Sequence, residues 1–250
     1  MASRSWTSPA VVLQLASFGE NHREASVFTP DKGLVKAAVF GGAKSRMRAA
    51  VNPFHAGQMW FYTDPVKKST KITDFDVKKW RENIRGSLLK TWCASLCAEI
   101  VIRSKGAGDW NLVNGFLDGI HQTDERACRP AVLRFLWRML SAAGFRVDIA
   151  HCARCGGQFS SGEDGRTVWY VPREDGCLCR ACTAAAEKQF PLSAESRFYL
   201  QAAESCEPKI SRALPLLPED YGQLRDFLFF LTERMLGGKL KTVESGAGIL

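Results

Sequence analysis

Ala25-Ser26-Val27-Phe28-Thr29-Pro30-Asp31-Lys32-Gly33-Leu34-Val35-Lys36-Ala37-Ala38-Val39-Phe40 reads as two β-strands joined by a tight turn. Both flanks are rich in β-branched and aromatic residues. Between them Pro30 fixes φ, Asp31 offers a turn-forming carboxylate and Gly33 tolerates backbone conformations closed to other residues. Toward the N-terminus, Ala10-Val11-Val12-Leu13-Gln14-Leu15 is another β-favouring run, and Gly41-Gly42 punctuates the end of the third. Further on, Gln58-Met59-Trp60-Phe61-Tyr62 precedes Asp64-Pro65. Four or five short strands joined by turns within about 75 residues predict a small β-barrel.

After Asp74 the period changes. Trp80, Ile84, Leu88, Trp92 and Leu96 recur every four residues, and Leu89, Cys93, Ala98 and Ile102 widen the stripe, which predicts one amphipathic helix ending at Gly106-Ala107-Gly108. Two more helices are expected over Asn111 to His121 and Pro130 to Ala143, and two over Ser193 to Ala203 and Pro218 to Leu236. Between them, His151 to Thr183 is rich in glycine, cysteine and charge, as in a knuckle held by something other than an apolar core. The fold class expected is therefore multidomain α+β: a barrel over 1–78, a helical domain over 79–150 and 191–250, and a cysteine-rich insertion over 151–190.

The chain has 250 residues, 46% of them hydrophobic and 24% charged, which is the composition of a globular protein. Its apolar runs fall well short of the roughly 20 residues that a membrane-spanning helix needs. Met1 to Thr7 lacks the apolar segment of a secretory signal, so the cytoplasm is the expected address. The net charge of +8 is unevenly spread: residues 1–80 hold 12 basic and 6 acidic side chains, and residues 151–190 hold 5 of each. Front-loaded positive charge suits a polyanionic partner.

Cys152-Ala153-Arg154-Cys155 and Cys179-Arg180-Ala181-Cys182 are two Cys-x-x-Cys pairs separated by 23 residues. A two-residue spacer lets both sulfurs face one ion, and two such pairs complete a tetrahedron with metal–sulfur distances of about 2.3 Å. One structural Zn²⁺ on Cys152, Cys155, Cys179 and Cys182 is the expected cofactor, with no open position for catalysis. Redox use of these pairs would want a thioredoxin-like βαβ context, which is missing. Cys177 and His151 stand beside the ligands as alternatives. Cys93 and Cys97 lie on the helical stripe and read as small buried hydrophobes. Cys128 and Cys206 receive no role.

Lys32, Lys36, Lys44, Arg46 and Arg48 fall on or beside the barrel, and Lys67, Lys68 and Lys71 follow in a turn. Interleaved are Phe28, Phe40, Phe54, Trp60, Phe61 and Tyr62, most of which belong in a barrel core. Cations for phosphates with one or two exposed aromatics for bases are how single strands are held without sequence preference. Gly41-Gly42-Ala43-Lys44-Ser45 does not meet the spacing of a phosphate-binding P-loop. No nucleophile elbow is present, and the acid pairs Glu163-Asp164 and Glu174-Asp175 lie in the glycine-rich segment as solvated turn charges. No enzymatic activity is expected. An RNA-binding or transcription-associated barrel with a zinc knuckle has the same composition, as does a scaffold whose charge steers an acidic partner.

Taken in order, Gly19-Glu20-Asn21-His22, Phe28-Thr29, Gly33, Gly41 to Arg46, Pro53-Phe54, Gly144-Phe145-Arg146, the two cysteine pairs, Leu236-Gly237 and Leu240-Lys241 resemble the bacterial RecO recombination mediator family across nearly the whole chain. The resemblance implies an N-terminal OB-fold followed by a helical domain with an inserted zinc knuckle. It also implies binding of single- and double-stranded DNA, annealing of complementary strands, and help to RecA in displacing the single-stranded-DNA-binding protein. The partners it implies are RecR and the acidic C-terminal tail of that protein, in the cytoplasm at the nucleoid. A pocket for such a tail would be rimmed by cations, and Arg129, Arg134 and Arg138 are its candidates. The Gly-Ala-Lys-Ser-Arg stretch is shorter than the basic loop of many relatives, which shifts DNA affinity toward Lys32, Lys36, Lys67, Lys68 and Lys71.

Overall fold

Five strands close into a barrel in the computed structural model, which describes residues 4–18, 22–40, 45–159, 166–246 and 248–249. They are β1 (Ser5–Phe18), β2 (His22–Thr29), β3 (Gly33–Val39), β4 (Ala56–Asp64) and β5 (Ser69–Lys79), arranged β1-β2-β3-β5-β4. Neighbours are antiparallel except β3 and β5, which run parallel with Ala38 opposite Lys71. The barrel closes between β3 and β5 through the single pair Ala38–Lys71. The β2–β3 turn is held by the Thr29 hydroxyl, which accepts from the Lys32 N–H and donates to the Gly33 carbonyl, both at 3.2 Å, with Gly33 at φ +59°. Period-two alternation sends Ala37 and Val39 inward and Lys36 outward. Val12, Val27, Met59, Phe61, Ile72 and Phe75 complete the interior.

The short helix α1 (Arg46–Ala50) lies between β3 and β4, with Ala50 buried in the barrel core. Ser45 caps it by accepting from the Met47 N–H. Gly41 to Lys44 lie outside the described residues, as do Gly19 to Asn21 and Glu163-Asp164.

The stripe that begins at Trp80 is not one helix. It divides into α2 (Glu82–Arg85) and α3 (Leu88–Arg103), because Gly86 ends the first and the Ser87 hydroxyl caps the second by accepting from the Lys90 N–H. Leu88, at the break, is 67% exposed. Helix α3 is buried nearly all round, with Cys93 and Cys97 among its inward residues. Helix α4 (Trp110–Gln122) follows.

By contacts the chain forms two units, residues 1–125 with 240–250 and residues 126–239. In the first, Arg81 carries the central polar network. Its guanidinium is buried and donates to the Phe54 carbonyl at 2.8 Å, to Asn114 Oδ1 at 2.9 Å and to Asp118 Oδ1 at 2.9 Å. Lys79 adds a second ion pair to Asp118 at 2.6 Å. Burial disfavours the Asp118 carboxylate, but Lys79 and Arg81 outweigh it and hold its pKa below the usual range. Nearby, His55 is buried: its Nδ1 meets the Ala50 carbonyl at 2.7 Å and its Nε2 meets Arg85 at 2.9 Å.

The second unit contains most of α5 (Glu125–Ala142), which starts five residues before the expected Pro130 and accommodates that proline inside. Next comes a three-stranded sheet, β7-β6-β8, from β6 (Thr167–Val171), β7 (Gly176–Leu178) and β8 (Phe190–Ser193). The cysteine-rich segment therefore does own an apolar core, contrary to the expectation: Val168, Tyr170, Leu178 and Leu192 are fully buried. Alternation over such short strands is masked by the glycines and charges between them. Helices α6 (Ala194–Ser205), α7 (Pro208–Ala213) and α8 (Pro218–Leu236) follow. Asp220 accepts from Ser193 at 2.6 Å and Ser196 at 3.0 Å, tying α8 to the start of α6. The Tyr170 hydroxyl donates to Asp175, and Arg234 of α8 donates to both. No described helix is long and apolar enough to cross a membrane. The last helix, α9 (Lys241–Ser245), belongs to the first unit again, where Glu99 of α3 accepts from the N–H groups of Lys241 and Thr242, each at 2.8 Å.

Two outcomes follow from the first unit. Arg81→Ala leaves the Phe54 carbonyl and Asn114 Oδ1 without their donor and Asp118 with Lys79 alone, and should destabilise the protein by about 3–5 kcal/mol in urea unfolding. A loss under about 1 kcal/mol would contradict the network's role. Burial, then the charges of Arg85 and Arg81, hold the His55 pKa below its ordinary value against the Ala50 carbonyl and Glu82. The folded pKa therefore lies below the unfolded value of about 6.5. His55's contribution to stability should be fully present above about pH 6.5 and be lost as pH falls through the folded pKa. Urea midpoints measured from pH 8 to 5 test this, and a flat profile would refute it.

Candidate metal centre and nucleic-acid surface

The sulfurs of Cys152, Cys155, Cys179 and Cys182 lie within 4.8 Å of one another. Local hydrogen bonding makes each pair converge. In the first knuckle the Cys152 N–H donates to the Gly157 carbonyl at 2.9 Å and the Gly156 N–H to the Cys152 carbonyl at 2.8 Å, with Gly156 at φ +71°. That conformation is why a glycine follows the pair. In the second, the N–H groups of Cys182 and Thr183 both donate to the Cys179 carbonyl. Gly176 then lets the two halves meet, since a side chain there would bring its Cβ within 2.5 Å of the Ala153 Cβ. The Ala153 N–H donates to the Cys177 carbonyl at 2.9 Å, and the Cys179 N–H points at Cys152 Sγ at 3.4 Å.

Arg154, inside the first pair, clamps the assembly: it donates to the Cys182 carbonyl, to Glu174 at 2.7 Å and to Glu187 at 3.2 Å. Sequence reasoning missed it, since an arginine between two cysteines carries no signal of its own. Cys152 is buried against Val171 and Leu178, while Cys155 is exposed. Burial works against a Cys152 thiolate, but N–H groups of Cys179, Cys155 and Arg154 and the Cys155 thiol bring its pKa down to about 6. Hydrogen bonding to Cys179, then burial, pushes the Cys182 thiol up to about 12. A cation held by the four sulfurs would displace their protons.

A tetrahedral ion at about 2.3 Å from each sulfur puts the sulfurs about 3.8 Å apart, which the observed cluster admits. All donors are soft sulfurs and none is an oxygen, so the set fits a thiophilic ion and excludes calcium or magnesium. Cys177 is outside the cluster, fully buried and opposite Tyr170 in the sheet, and burial pushes its thiol up to about 12. His151 is also outside, with Nδ1 paired to Asp148 at 3.0 Å.

The candidate barrel cations among the described residues are all exposed. Lys32 sits in the β2–β3 turn with Nζ 3.7 Å from the ring centre of Trp6. Lys36 faces out from β3 and meets Glu24 at 3.5 Å. Arg46 and Arg48 are exposed on α1. Lys67 and Lys68 are exposed in the β4–β5 turn, whose N–H groups at Val66 and Lys67 bond to Asp64, and Lys71 lies 5.0 Å from the Tyr62 ring. Lys44 lies outside the described residues. Of the six aromatics, Phe28, Phe54 and Phe61 are buried and Tyr62 is half-buried, while Phe40 and Trp60 are exposed at 48% and 38%.

In the second unit Arg129 is exposed. Arg134 is not on a rim: it is buried and donates to the Tyr199 hydroxyl at 2.6 Å. Arg138 is half-buried and donates from Nε to the Ala203 carbonyl at 2.7 Å. Burial and the neighbouring charges of Arg134 and Arg212 lower its pKa, so Arg212 of α7 joins a guanidinium cluster that the sequence did not suggest.

Serine at both Cys152 and Cys179 should leave the purified protein without bound metal by elemental analysis, and its 152–182 segment should become protease-sensitive. Cys177→Ser should keep full metal content. Metal retained in the double variant, or lost in the single one, would overturn this ligand set.

Two family models match successive parts of the chain. A family model described as Recombination protein O N terminal matches residues 1–79, and one described as Recombination protein O C terminal matches residues 85–244. The DNA repair protein RecO of Anaeromyxobacter sp. (strain K) is 28% identical over 92% of this chain and 91% of its own length. That of Syntrophotalea carbinolica is 28% identical over 74% of this chain and 72% of its own. That of Oleidesulfovibrio alaskensis is 26% identical over 87% and 89%. With both family models matched and a barrel, helices and four-cysteine cluster in the corresponding order, the chain belongs to the recombination protein O family.

Proposed function

We propose that the protein is a non-enzymatic recombination mediator of DNA repair. It binds single- and double-stranded DNA, anneals complementary strands and helps to load RecA onto DNA coated by the single-stranded-DNA-binding protein. Membership in the family supports the repair and recombination role. The observation that carries the mechanism is the set of exposed cations around a closed barrel. Of Lys32, Lys36, Arg46, Arg48, Lys67, Lys68 and Lys71, only Lys36 forms a side-chain ion pair within 4 Å among the described residues.

Unpaired exposed cations are available for phosphates, and cations on both sides of an annealing pair screen the mutual repulsion of two strands. Phe40 and Trp60 offer faces on which unpaired bases can stack. Annealing makes hydrogen bonds between bases and no covalent bond, so no catalytic residue is required. The metal held by the four cysteines is one zinc ion. When bound it supplies cross-linking of the knuckle and no reaction chemistry.

RecR and the acidic tail of the single-stranded-DNA-binding protein are the proposed protein partners. For the tail, the Arg129, Arg138 and Arg212 group is the proposed contact, and Arg134 acts behind it by fixing Tyr199. Charge complementarity of this kind sets both on-rate and choice of partner.

Changing Lys67, Lys68 and Lys71 together to alanine should weaken single-stranded DNA binding and reduce the slope of log affinity against log salt by about 2. Fluorescence anisotropy from 50 to 200 mM salt measures both. An unchanged slope removes these lysines from the interface, and equal competition by RNA of the same sequence would favour an RNA-binding role.

A further inference from the structure

Two adjoining hollows of about 520 and 430 Å³ in the first unit share Lys78, Lys79 and Asp118, so they form one trough between the end of β5 and helix α4. Its helical wall is a single face of α4. Asn111, Gly115, Asp118 and Gln122 recur at spacings of four, three and four, and they cover about 16 Å of helix axis. The opposite wall is Lys78, Lys79 and Trp80.

We propose that this trough holds a second single-stranded nucleic-acid segment, by its bases, apart from the lysine-bearing β4–β5 turn. The inference rests on the DNA-binding reading above and adds where the second strand of an annealing pair is held.

Charge decides how the strand would be held. Lys78 pairs with Asp76 at 2.7 Å, Lys79 with Asp118 at 2.6 Å, and Arg81 with Asp118 at 2.9 Å, while Glu82 also lines the trough. The cations here are largely matched, so attraction to phosphate is weak. What remains is base chemistry. Trp80 is 46% exposed and Trp110 is half-buried at the other end. The side-chain amides of Asn111 and Gln122 make no hydrogen bond among the described residues, and His121 Nδ1 is buried without a partner. Aromatic faces with free amide donors and acceptors suit the faces and edges of unpaired bases. In a duplex those faces and pairing edges are occupied, so the trough selects single strands.

Gly115 gives an independent indication. It stands in mid-helix, where glycine weakens a helix, and a Cβ added to it would meet nothing within 4 Å. Packing does not require a glycine there, yet its absence of side chain keeps the trough open.

The two proposed tracts are also kept apart. Lys71 and Lys78 are seven residues apart on β5, about 23 Å along the strand. Between them Asp74 faces solvent and its carboxylate repels phosphate, while Asp76 is paired with Lys78. A strand on the turn and a strand in the trough would therefore be held separately until their bases meet.

The test is Gly115→Met, which fills the trough at a helical position without loss of packing, with Gly222→Met as control, a helical glycine of α8 outside the trough whose added Cβ also meets nothing within 4 Å. Both should melt at or above the wild-type temperature. Wild type and Gly222→Met should bind two short oligothymidylates, whereas Gly115→Met should bind one and anneal complementary strands at least tenfold more slowly. Bromouracil-containing single strands should cross-link to Trp80 or Trp110 in wild type. If wild type binds single strands but Gly115→Met matches it in stoichiometry and annealing, or if cross-links fall only on the β4–β5 turn, the trough assignment is overturned while the DNA-binding reading stands. If wild type binds no single strand at 50 mM salt, the DNA-binding reading itself fails and the trough assignment with it.

Discussion

A single buried guanidinium holds the first unit in register. Arg81 lies one residue beyond the tryptophan that follows β5, in a left-handed backbone conformation (φ 47°), and reaches the Phe54 carbonyl just before β4 as well as Asn114 and Asp118 on α4. Phe54 is itself left-handed (φ 71°). Two strained backbone positions thus face one another across a planar donor, each held by the bond that the other needs. Because Arg81 spends its donors on a carbonyl, an amide and a carboxylate, its charge is compensated despite burial. Arg81 thereby ties the wall of the barrel to the face of α4 that lines the trough.

The cysteine centre follows a different logic. Its scaffold is a three-stranded sheet with a small apolar core, and its knuckles are joined across Ala153 and Gly176 before any metal is considered. The metal would complete a structure that backbone hydrogen bonds and the Arg154 clamp have already brought together. The polar triad of Tyr170, Asp175 and Arg234 connects the same sheet to α8, so the centre is anchored to the helices of its unit as well as to itself.

How much of this can be read from the chain depends on the kind of signal. The β2–β3 hairpin is legible because its strands alternate and its turn residues are diagnostic. Strand β5 is not, since only Ile72 and Phe75 are fully buried while Lys71, Asp74, Asp76 and Lys78 face solvent; closing the barrel, not hydrophobicity, defines it. The four-residue spacing of Trp80, Ile84 and Leu88 mimics a helix across a real break, which the exposure of Trp80 and Leu88 and the Gly86-Ser87 pair between the two helices reveal. The cysteine cluster is legible because sulfur pairs at fixed spacing have few other uses. The burial of Arg134 and the roles of Arg81 and Arg154 are not, because an arginine's partners come from distant segments that share no pattern with it.

The carboxylate of Glu99 has a consequence for the order in which the chain folds. Besides Arg103 on its own helix, its partners are the N–H groups of residues 241 and 242, more than 140 positions away, and the whole of the second unit is encoded between them. On a ribosome, where domains generally fold as they emerge, the barrel and α3 are made long before the segment that closes over them. Until that segment arrives, the Glu99 side chain and the buried surface under α9 stay open. Completion of the first unit is therefore deferred until the second has been synthesised.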